Sequence, residues 1–233
     1  MSTPLTAAQV SAIRERPILF SAPMVQGLRA DRKTVTRRLV KERQFPAPFH
    51  QRCSAVGVAV ALREMYEQGR FEERPFPYGQ PGDRLWVRET FHVTSANEVV
   101  YRADYPDNAT ARGMENVPPE QDVRWRPSIH MPRWASRLTL EVVSVRVERL
   151  HDITDEDAKA EGLKCLSKDG GTTWKYGIPD RDGWPGTDDT GWPWTDWDVS
   201  PRAAFCRLWK SINGEASWAA NPWVWRVGFR RVP

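Results

Sequence analysis

Cysteine and histidine are scarce in this chain, and neither is spaced for a disulfide framework or a metal site. The three cysteines, Cys53, Cys165 and Cys206, form no C-x-x-C pair and are odd in number. A reducing, cytoplasmic compartment therefore fits better than an oxidising one. None of the four histidines stands at metal-ligand spacing from another. We expect neither a bound metal nor any other cofactor.

Long hydrophobic runs are also missing. The longest, residues 55–62, is far shorter than the roughly 20 apolar residues that span a bilayer. The first residues lack the charged-then-apolar pattern of a signal peptide. We therefore expect a soluble protein of the cytoplasm with no membrane partner. Its 233 residues, 40% of them hydrophobic, suffice for one domain with a substantial core, and we favour a monomer.

Lysine supplies little of the positive charge. Only seven of the 34 basic residues are lysine, so 27 are arginine, and the chain also contains twelve tryptophans. Guanidinium groups make planar, bidentate contacts with phosphates and stack on rings, and indole faces can hold flat bases. This composition fits a nucleotide or RNA partner. It fits equally well a solvated surface whose arginines pair with the 30 acidic residues.

The order of predicted elements favours an α+β fold in which strands dominate and close into a small mixed barrel. A helix at 6–15 belongs to an N-terminal extension, residues 1–16, and one domain follows at 17–233. Poorly periodic insertions interrupt this domain near 41–78, 92–133 and 164–200, the first with a helical patch at 58–68. Strands are predicted at 17–20, 34–36, 84–89, 137–147 and 223–230, and helices at 21–30, 154–161 and 201–212.

The basic segment 31–38, with the sequence DRKTVTRR, is the most informative part of the chain. It places Lys33 three residues before Thr36, and an alcohol needs a neighbouring proton acceptor to attack a carbonyl group. The same cluster of charge suits a nucleotide or its phosphate. Residues three apart in a regular strand face opposite sides. The pair can therefore act together only if Lys33 lies on a turn before the strand begins.

The arrangement of these elements resembles the ASCH domain, a branch of the PUA-like barrels. Three features carry this resemblance: segment 31–38, a Pro-Gly-Asp turn that leads into the strand at 84–89, and the long strand at 137–147 followed by the capped helix at 154–161. The family signature is G-x-K-x-x-E-x-R, and Lys33 and Arg38 match its basic positions. Asp31 replaces the glycine, and Thr36 replaces the glutamate. The resemblance covers about half of the chain.

Small bacterial N4-acetylcytidine amidohydrolases of this family also carry threonine at that position, and segment 31–38 is similar to theirs. Larger ASCH-type proteins of phages and prophages resemble the chain as a whole. The resemblance implies that Thr36 attacks the acetyl carbonyl, that Lys33 takes the hydroxyl proton, and that Glu161 protonates the departing cytosine nitrogen. Glu161 then activates water. It occupies the family position because TDEDAKAE at 154–161 is similar to the family's T-E-x-x-A-x-x-E helix.

Other residues are predicted to bind substrate. They combine guanidinium groups and rings: Arg32, Arg37, Arg38, Arg84, Trp86, Trp125 and Trp134. The two last tryptophans suit a base pocket, although such a stretch is more often a loop pinned to the core by its tryptophans. The expected ligand is a cytidine-type nucleoside or nucleotide, or RNA. The alternative function is a non-catalytic module that binds RNA or a modified nucleotide, in which the basic residues hold phosphate.

Overall fold

The computed structural model describes residues 13–40, 77–114, 116–186 and 191–232. Within these ranges the chain is α+β, with short 3₁₀ turns between its elements. The strands are β1 (Glu15–Leu19), β2 (Val35–Leu39), β3 (Arg84–Arg88), β4 (Phe91–Val93), β5 (Val99–Tyr101), β6 (Thr139–Arg149), β7 (Lys164–Leu166), β8 (Lys175–Gly177) and β9 (Trp223–Val232). The helices are α1 (Ala22–Arg29), α2 (Asp155–Ala160), α3 (Pro201–Asn213) and α4 (Ala216–Ala219).

The main sheet has five strands in the order β1-β3-β6-β9-β2. Strands β1 and β3 are parallel, and the other neighbours are antiparallel. In the described part of the chain, the edge strands β1 and β2 do not pair with each other. The expected closed barrel is therefore not observed: α1 carries the chain from one edge to the other, and three strands lie between them. The hairpins β4–β5 and β7–β8 form separate small sheets.

The two longest strands, β6 and β9, form the centre of this sheet. A bulge between Val142 and Ser144 shifts their register and leaves Val143 54% exposed. Before the bulge Val142 points into the core, and after it Val145 does. A bulge inserts one residue and so reverses which positions face inward. This reversal places Glu148, near the end of β6, where it can face the site described below.

Helices α1 and α3 cover the core. In α3 the buried positions are Ala204, Phe205, Leu208 and Trp209, which recur with helical spacing. Ser200 caps this helix, because its hydroxyl accepts a hydrogen bond from the backbone N–H of Ala203 at 3.3 Å. Burying each large apolar side chain contributes roughly 1.5–3 kcal/mol. Helix α3 is therefore held mainly by this apolar face.

Most elements predicted from the sequence are present. Strand β1 begins at Glu15, two residues earlier than expected, so the predicted helix at 6–15 does not include Glu15. Residues 13 and 14, just before β1, are irregular, and the rest of that predicted helix lies outside the described residues. The predicted helical patch at 58–68 also lies outside them. The insertions near 92–133 and 164–200 contain the two hairpins that periodicity did not reveal. Within the described ranges, no helix is long and apolar enough to cross a membrane.

Candidate active site

Lys33 lies on the turn between α1 and β2. The backbone N–H groups of Arg32 and Lys33 both donate to the carbonyl oxygen of Gly27, at 2.9 and 3.1 Å, and Asp31 adopts a positive φ of 53°. Lys33 forms an isolated antiparallel bridge with Glu161, and the strand begins only at Val35. Because Lys33 lies on the turn and not in the strand, the rule that puts strand residues three apart on opposite faces does not apply to Lys33 and Thr36.

Two glycines leave space for the Lys33 side chain. A Cβ atom on Gly162 would lie 3.2 Å from the Cβ atom of Lys33, and one on Gly27 would lie 3.4 Å away. Gly162 follows α2 with a φ of +108°, a conformation that glycine adopts without strain. Both glycines thus keep the end of α2 and the body of α1 close to Lys33.

We expect Gly162→Ala to reduce the free energy of unfolding by about 2 kcal/mol, because it adds both backbone strain and a close contact with Lys33. Gly82→Ala is the matched control, since Gly82 has a similar φ of +94° and its Cβ position has no neighbour within 4 Å. Urea unfolding of both variants measures the difference. Equal losses in the two variants would contradict the proposed contact.

The Lys33 ammonium group is buried and fully hydrogen-bonded. Its Nζ donates to the carbonyl oxygen of Val35 at 3.0 Å, to that of Glu161 at 2.7 Å, and to Glu161 Oε2 at 2.8 Å. Burial lowers the pKa of Lys33, the charge of Glu161 opposes this shift, and Arg38 and Arg37 add to it. The net direction is downward, so this amine releases its proton more readily than an exposed lysine.

Arg37 joins three carboxylates behind this pair. Its side chain is fully buried, and its guanidinium donates to Glu148 Oε1 at 2.8 Å, to Asp157 Oδ2 at 2.6 Å and to Glu161 Oε1 at 3.2 Å. The Glu161 carboxylate is therefore shared between Arg37 and Lys33, one oxygen for each. This fixes its orientation, because both oxygens are held by buried cations.

A second layer of arginines completes the network. Arg226 binds Asp157 with two hydrogen bonds of 2.9 and 2.6 Å, and Arg146 contacts both Asp157 and Glu148. Burial alone would raise the pKa of Asp157, but the bonds and charges of Arg226 and Arg37 lower it to about 2. Four cations thus face three carboxylates, and the site has an excess of positive charge.

Thr154 sets the position of Asp157. Its side-chain oxygen accepts a hydrogen bond from the backbone N–H of Asp157 at 3.2 Å, which caps helix α2 as the sequence predicted. The helix ends at Ala160, and Glu161 is the residue that caps its C-terminus. One short helix therefore presents two of the three carboxylates to Arg37.

Lys33, Thr36 and Glu161 line one cavity of about 370 Å³. Thr36 is buried in β2, and no described group forms a hydrogen bond with its hydroxyl. The amine of Lys33 binds the carbonyl group directly preceding Thr36 in the chain. One cavity is therefore lined by an unbonded alcohol, an amine and a carboxylate.

Arg38 adds a further positive charge to the cavity wall; burial lowers its pKa, and the charges of Tyr78 and Glu161 oppose that shift. One of its terminal nitrogens donates to the carbonyl oxygen of Leu19 at 2.6 Å, and its guanidinium lies 5.2 Å from the centre of the Phe20 ring. Its Nε is buried without a hydrogen-bond partner. Within the described ranges Arg38 has no carboxylate partner, so it can pair with an anionic ligand.

Five of the ten predicted site residues line this cavity: Lys33, Thr36, Arg37, Arg38 and Glu161. The other five lie elsewhere, which corrects the expectation that all ten share one site. Arg32 lines a separate cavity on the other side of α1. Arg84 and Trp86 lie on β3 outside the cavity, and the Trp86 ring is 5.3 Å from the Arg88 guanidinium.

Neither Trp125 nor Trp134 lines the cavity. Trp125 packs edge-on against Tyr105 at 5.3 Å between ring centres, and its indole N–H donates to the carbonyl oxygen of Glu120. It therefore pins this loop to a small apolar cluster, the alternative that the sequence left open. Trp134 is 64% exposed.

Sequence reasoning missed the aromatic wall of the cavity and two acidic partners of Arg37, Glu148 and Asp157. The wall is formed by residues from three separate parts of the chain: Phe20, Tyr78, and Phe205 with Trp209 on α3. Burial raises the pKa of Tyr78, and Arg38 opposes that shift. The only local signal for the acidic partners was the run of acids at 155–157, which equally suits a helix N-terminus.

Comparisons with known proteins add no assignment. No protein-family model matches the chain, and searches of curated proteins and of solved structures found no match either. In the part of the chain that the structure describes, no group of three or more His, Cys, Asp or Glu side chains is placed to hold a metal ion. The assignment of function therefore depends on the geometry of the cavity.

Proposed function

We propose that the chain is an amidohydrolase that removes the acetyl group from N4-acetylcytidine or a related acylated cytosine nucleoside or nucleotide. The observation that carries this proposal is the convergence of Lys33, Thr36 and Glu161 in one buried cavity. It agrees with the ASCH resemblance of segment 31–38 and of helix α2. A PUA-like architecture is part of the same proposal, with the sheet open between β1 and β2.

The Lys33–Glu161 pair supplies the acid and the base of the first step. Transfer of one proton along the 2.8 Å hydrogen bond leaves a neutral amine and a neutral carboxylic acid. Lys33 Nζ then accepts the Thr36 hydroxyl proton as Oγ1 bonds to the acetyl carbon. The bond between this carbon and the exocyclic nitrogen breaks, and Glu161 protonates that nitrogen. Cytidine leaves, and an acetyl ester remains on Thr36.

Hydrolysis of the ester reverses these proton transfers. Glu161, now a carboxylate, accepts a proton from water as the water oxygen attacks the ester carbon. Lys33, now an ammonium group, returns a proton to Thr36 Oγ1 as the ester bond breaks. Acetic acid leaves and loses its proton to solvent, and the neutral amine and carboxylic acid are restored, so the two residues share one proton throughout. Burial, which lowers the pKa of Lys33, makes the neutral amine accessible in both steps.

The walls and charge of the cavity suit this class of substrate. A volume of about 370 Å³ lies within the range of small-ligand sites. The rings of Phe20, Phe205 and Trp209 offer apolar surface to a flat base. Arg38, which lacks a carboxylate partner among the described residues, offers a charge to a phosphate or to the base carbonyl.

Turnover of N4-acetylcytidine tests the proposal directly. The purified chain is incubated with the nucleoside, its 5′-monophosphate and a short acetylated RNA, and the ultraviolet spectrum and acetate release are followed. We expect equimolar cytosine product and acetate from at least one of them, with a turnover number of about 1 s⁻¹ or more. Absence of turnover on all three substrates would refute the enzyme proposal.

One observation favours the alternative, a non-catalytic module for RNA or a modified nucleotide. All three N–H bonds of the Lys33 ammonium and both oxygens of Glu161 already have protein partners. In that function the basic wall holds phosphate, and RNA affinity falls steeply as salt rises, because binding releases counterions. Tight, salt-dependent binding without turnover would favour this module, and salt-independent binding would reject it.

A further inference from the structure

A second cavity, of about 470 Å³, lies on the other side of α1. We name it the Arg32 cavity. Its polar and charged lining residues come from α1, the turn after it, the loop after β5 and the loop after β8: Gln26, Arg29, Arg32, Asp104, Asp107, Asn108, Asp180 and Arg181. Arg32 and Lys33 are consecutive, yet they line different cavities.

Arg32 has no ion-pair partner among the described residues of this cavity. Its side chain is half-buried, forms no hydrogen bond or ion pair with any described residue, and has a buried Nε atom without a partner. Burial lowers the pKa of Arg32. The Lys164 ammonium donates to the carbonyl oxygen of Gly183 at 2.5 Å. Burial lowers the pKa of Lys164, the charge of Arg32 adds to this shift, and Asp182 opposes it. Two cations, Arg32 and Lys164, are therefore close enough to interact at this cavity.

Asn108 offers an unused amide edge to the same cavity. Both its Nδ2 and its Oδ1 atoms are buried without a hydrogen-bond partner, although its backbone N–H is held by Asp104 at 3.2 Å. An orphaned buried amide costs about 1–3 kcal/mol for each unpaired group, so a ligand that satisfies both atoms is favoured. An asparagine amide presents one donor and one acceptor side by side, and it pairs with an edge that carries both.

Arg181 contributes a third unpaired donor. Its terminal nitrogens are anchored by the backbone carbonyl of Tyr105 and by the carboxylate of Glu120, while its Nε is buried without a partner. The guanidinium is thus fixed in place before any ligand arrives. Unpaired donors outnumber unpaired acceptors in the cavity, which favours a ligand rich in acceptor oxygens.

Three acidic residues also line the cavity. Asp104 is paired with both Arg29 and Arg137. The Asp180 carboxylate lies against the backbone of Gly186 and Gly191, where an added Cβ atom would overlap it. The remaining acid, Asp107, is exposed. Among the described residues, none of the three forms an ion pair with Arg32.

We propose that the Arg32 cavity binds a mononucleotide, with Arg32 holding the phosphate and the amide of Asn108 pairing with the donor–acceptor edge of the base. Arg181 Nε donates to a second acceptor of the same ligand. This site is separate from the proposed hydrolase cavity, and it stands whether or not the chain hydrolyses acylated cytidine.

Isothermal titration of the full chain with adenosine and uridine 5′-monophosphates tests this proposal, with inorganic phosphate and glutarate as comparison probes. We expect one nucleotide to bind more tightly than phosphate or glutarate. Arg32→Gln and Asn108→Ala should each weaken that binding at least about tenfold. Arg112→Gln is the matched control, because Arg112 is exposed and outside both cavities, and it should change affinity less than twofold.

Thr36→Val separates this site from the other cavity. Nucleotide affinity that survives Thr36→Val and falls in Arg32→Gln supports the proposal, and the reverse pattern overturns it. Failure of both nucleotides to bind at millimolar concentration overturns it as well, and so does binding of glutarate as tight as that of the nucleotides. Thermal unfolding of each variant establishes that it is folded, and Asn108→Ala supplies the test if Arg32→Gln does not fold.

Discussion

Thr36→Val abolishes turnover of N4-acetylcytidine, with a loss of kcat/KM of about 10³-fold or more, if Thr36 is the nucleophile. Valine keeps the branched shape of threonine and removes only the hydroxyl group. That hydroxyl has no hydrogen-bond partner among the described residues, so its removal leaves no protein group unsatisfied. We therefore expect the stability of the variant to stay close to that of the parent chain, and the loss to be chemical.

Thr36→Ser is the control for this experiment. Serine keeps the attacking oxygen, so measurable turnover should return even where its rate falls. Steady-state kinetics on N4-acetylcytidine and urea unfolding of both variants give the comparison. Activity in Thr36→Val above one tenth of the parent value would show that another group performs the attack, and the assigned role of Thr36 would then be wrong.

Arg37→Met reduces the free energy of unfolding by about 3–5 kcal/mol, the range for removing one partner of a buried ionic group. The side chain of Arg37 is fully buried and joins Glu148, Asp157 and Glu161. Without it these carboxylates keep only Lys33 and the second-layer arginines. Methionine preserves much of the volume, so the loss measures charge and hydrogen bonding more than packing.

Arg230→Met is the matched control for Arg37→Met. The Arg230 side chain is 68% exposed and pairs with Glu141 on the surface, so its replacement should cost no more than about 1 kcal/mol. Urea or guanidinium unfolding monitored by tryptophan fluorescence measures both variants. A loss below about 1 kcal/mol in Arg37→Met would mean that the carboxylates rearrange or become protonated, and that Arg37 does not hold the network together.

Local signals in the sequence pointed to three residues that line one cavity, Lys33, Thr36 and Glu161. Lys33 and Thr36 stand close together in the chain, and Glu161 follows a helix whose cap, Thr154, and stop, Gly162, are readable from residue type. Lys33 and Thr36 could act together only if Lys33 lay on a turn before the strand, and Lys33 does lie on the turn before β2. These features depend on short-range geometry, which residue preferences describe well.

Features that depend on long-range packing were not predictable. Arg32, Arg37 and Arg38 look equivalent in the sequence, yet the turn sends Arg32 to one cavity and its neighbours to another. The pairing of Arg37 with Glu148 requires the bulge in β6, which no local pattern revealed. Closure of the sheet depends on contact between edge strands, and β1 and β2 do not pair with each other among the described residues.

The sheet order also has a consequence for biosynthesis. Among the described residues, strand β2, which carries Thr36, pairs only with β9, and their registered partners, such as Thr36 and Val227, are far apart in the chain. A ribosome therefore makes β2 almost two hundred residues before this partner. Contacts between residues so far apart in the sequence form late, and they make folding slower. The β2–β9 pairing next to the proposed site consequently cannot form in the nascent polypeptide until residues 223–232 have been translated.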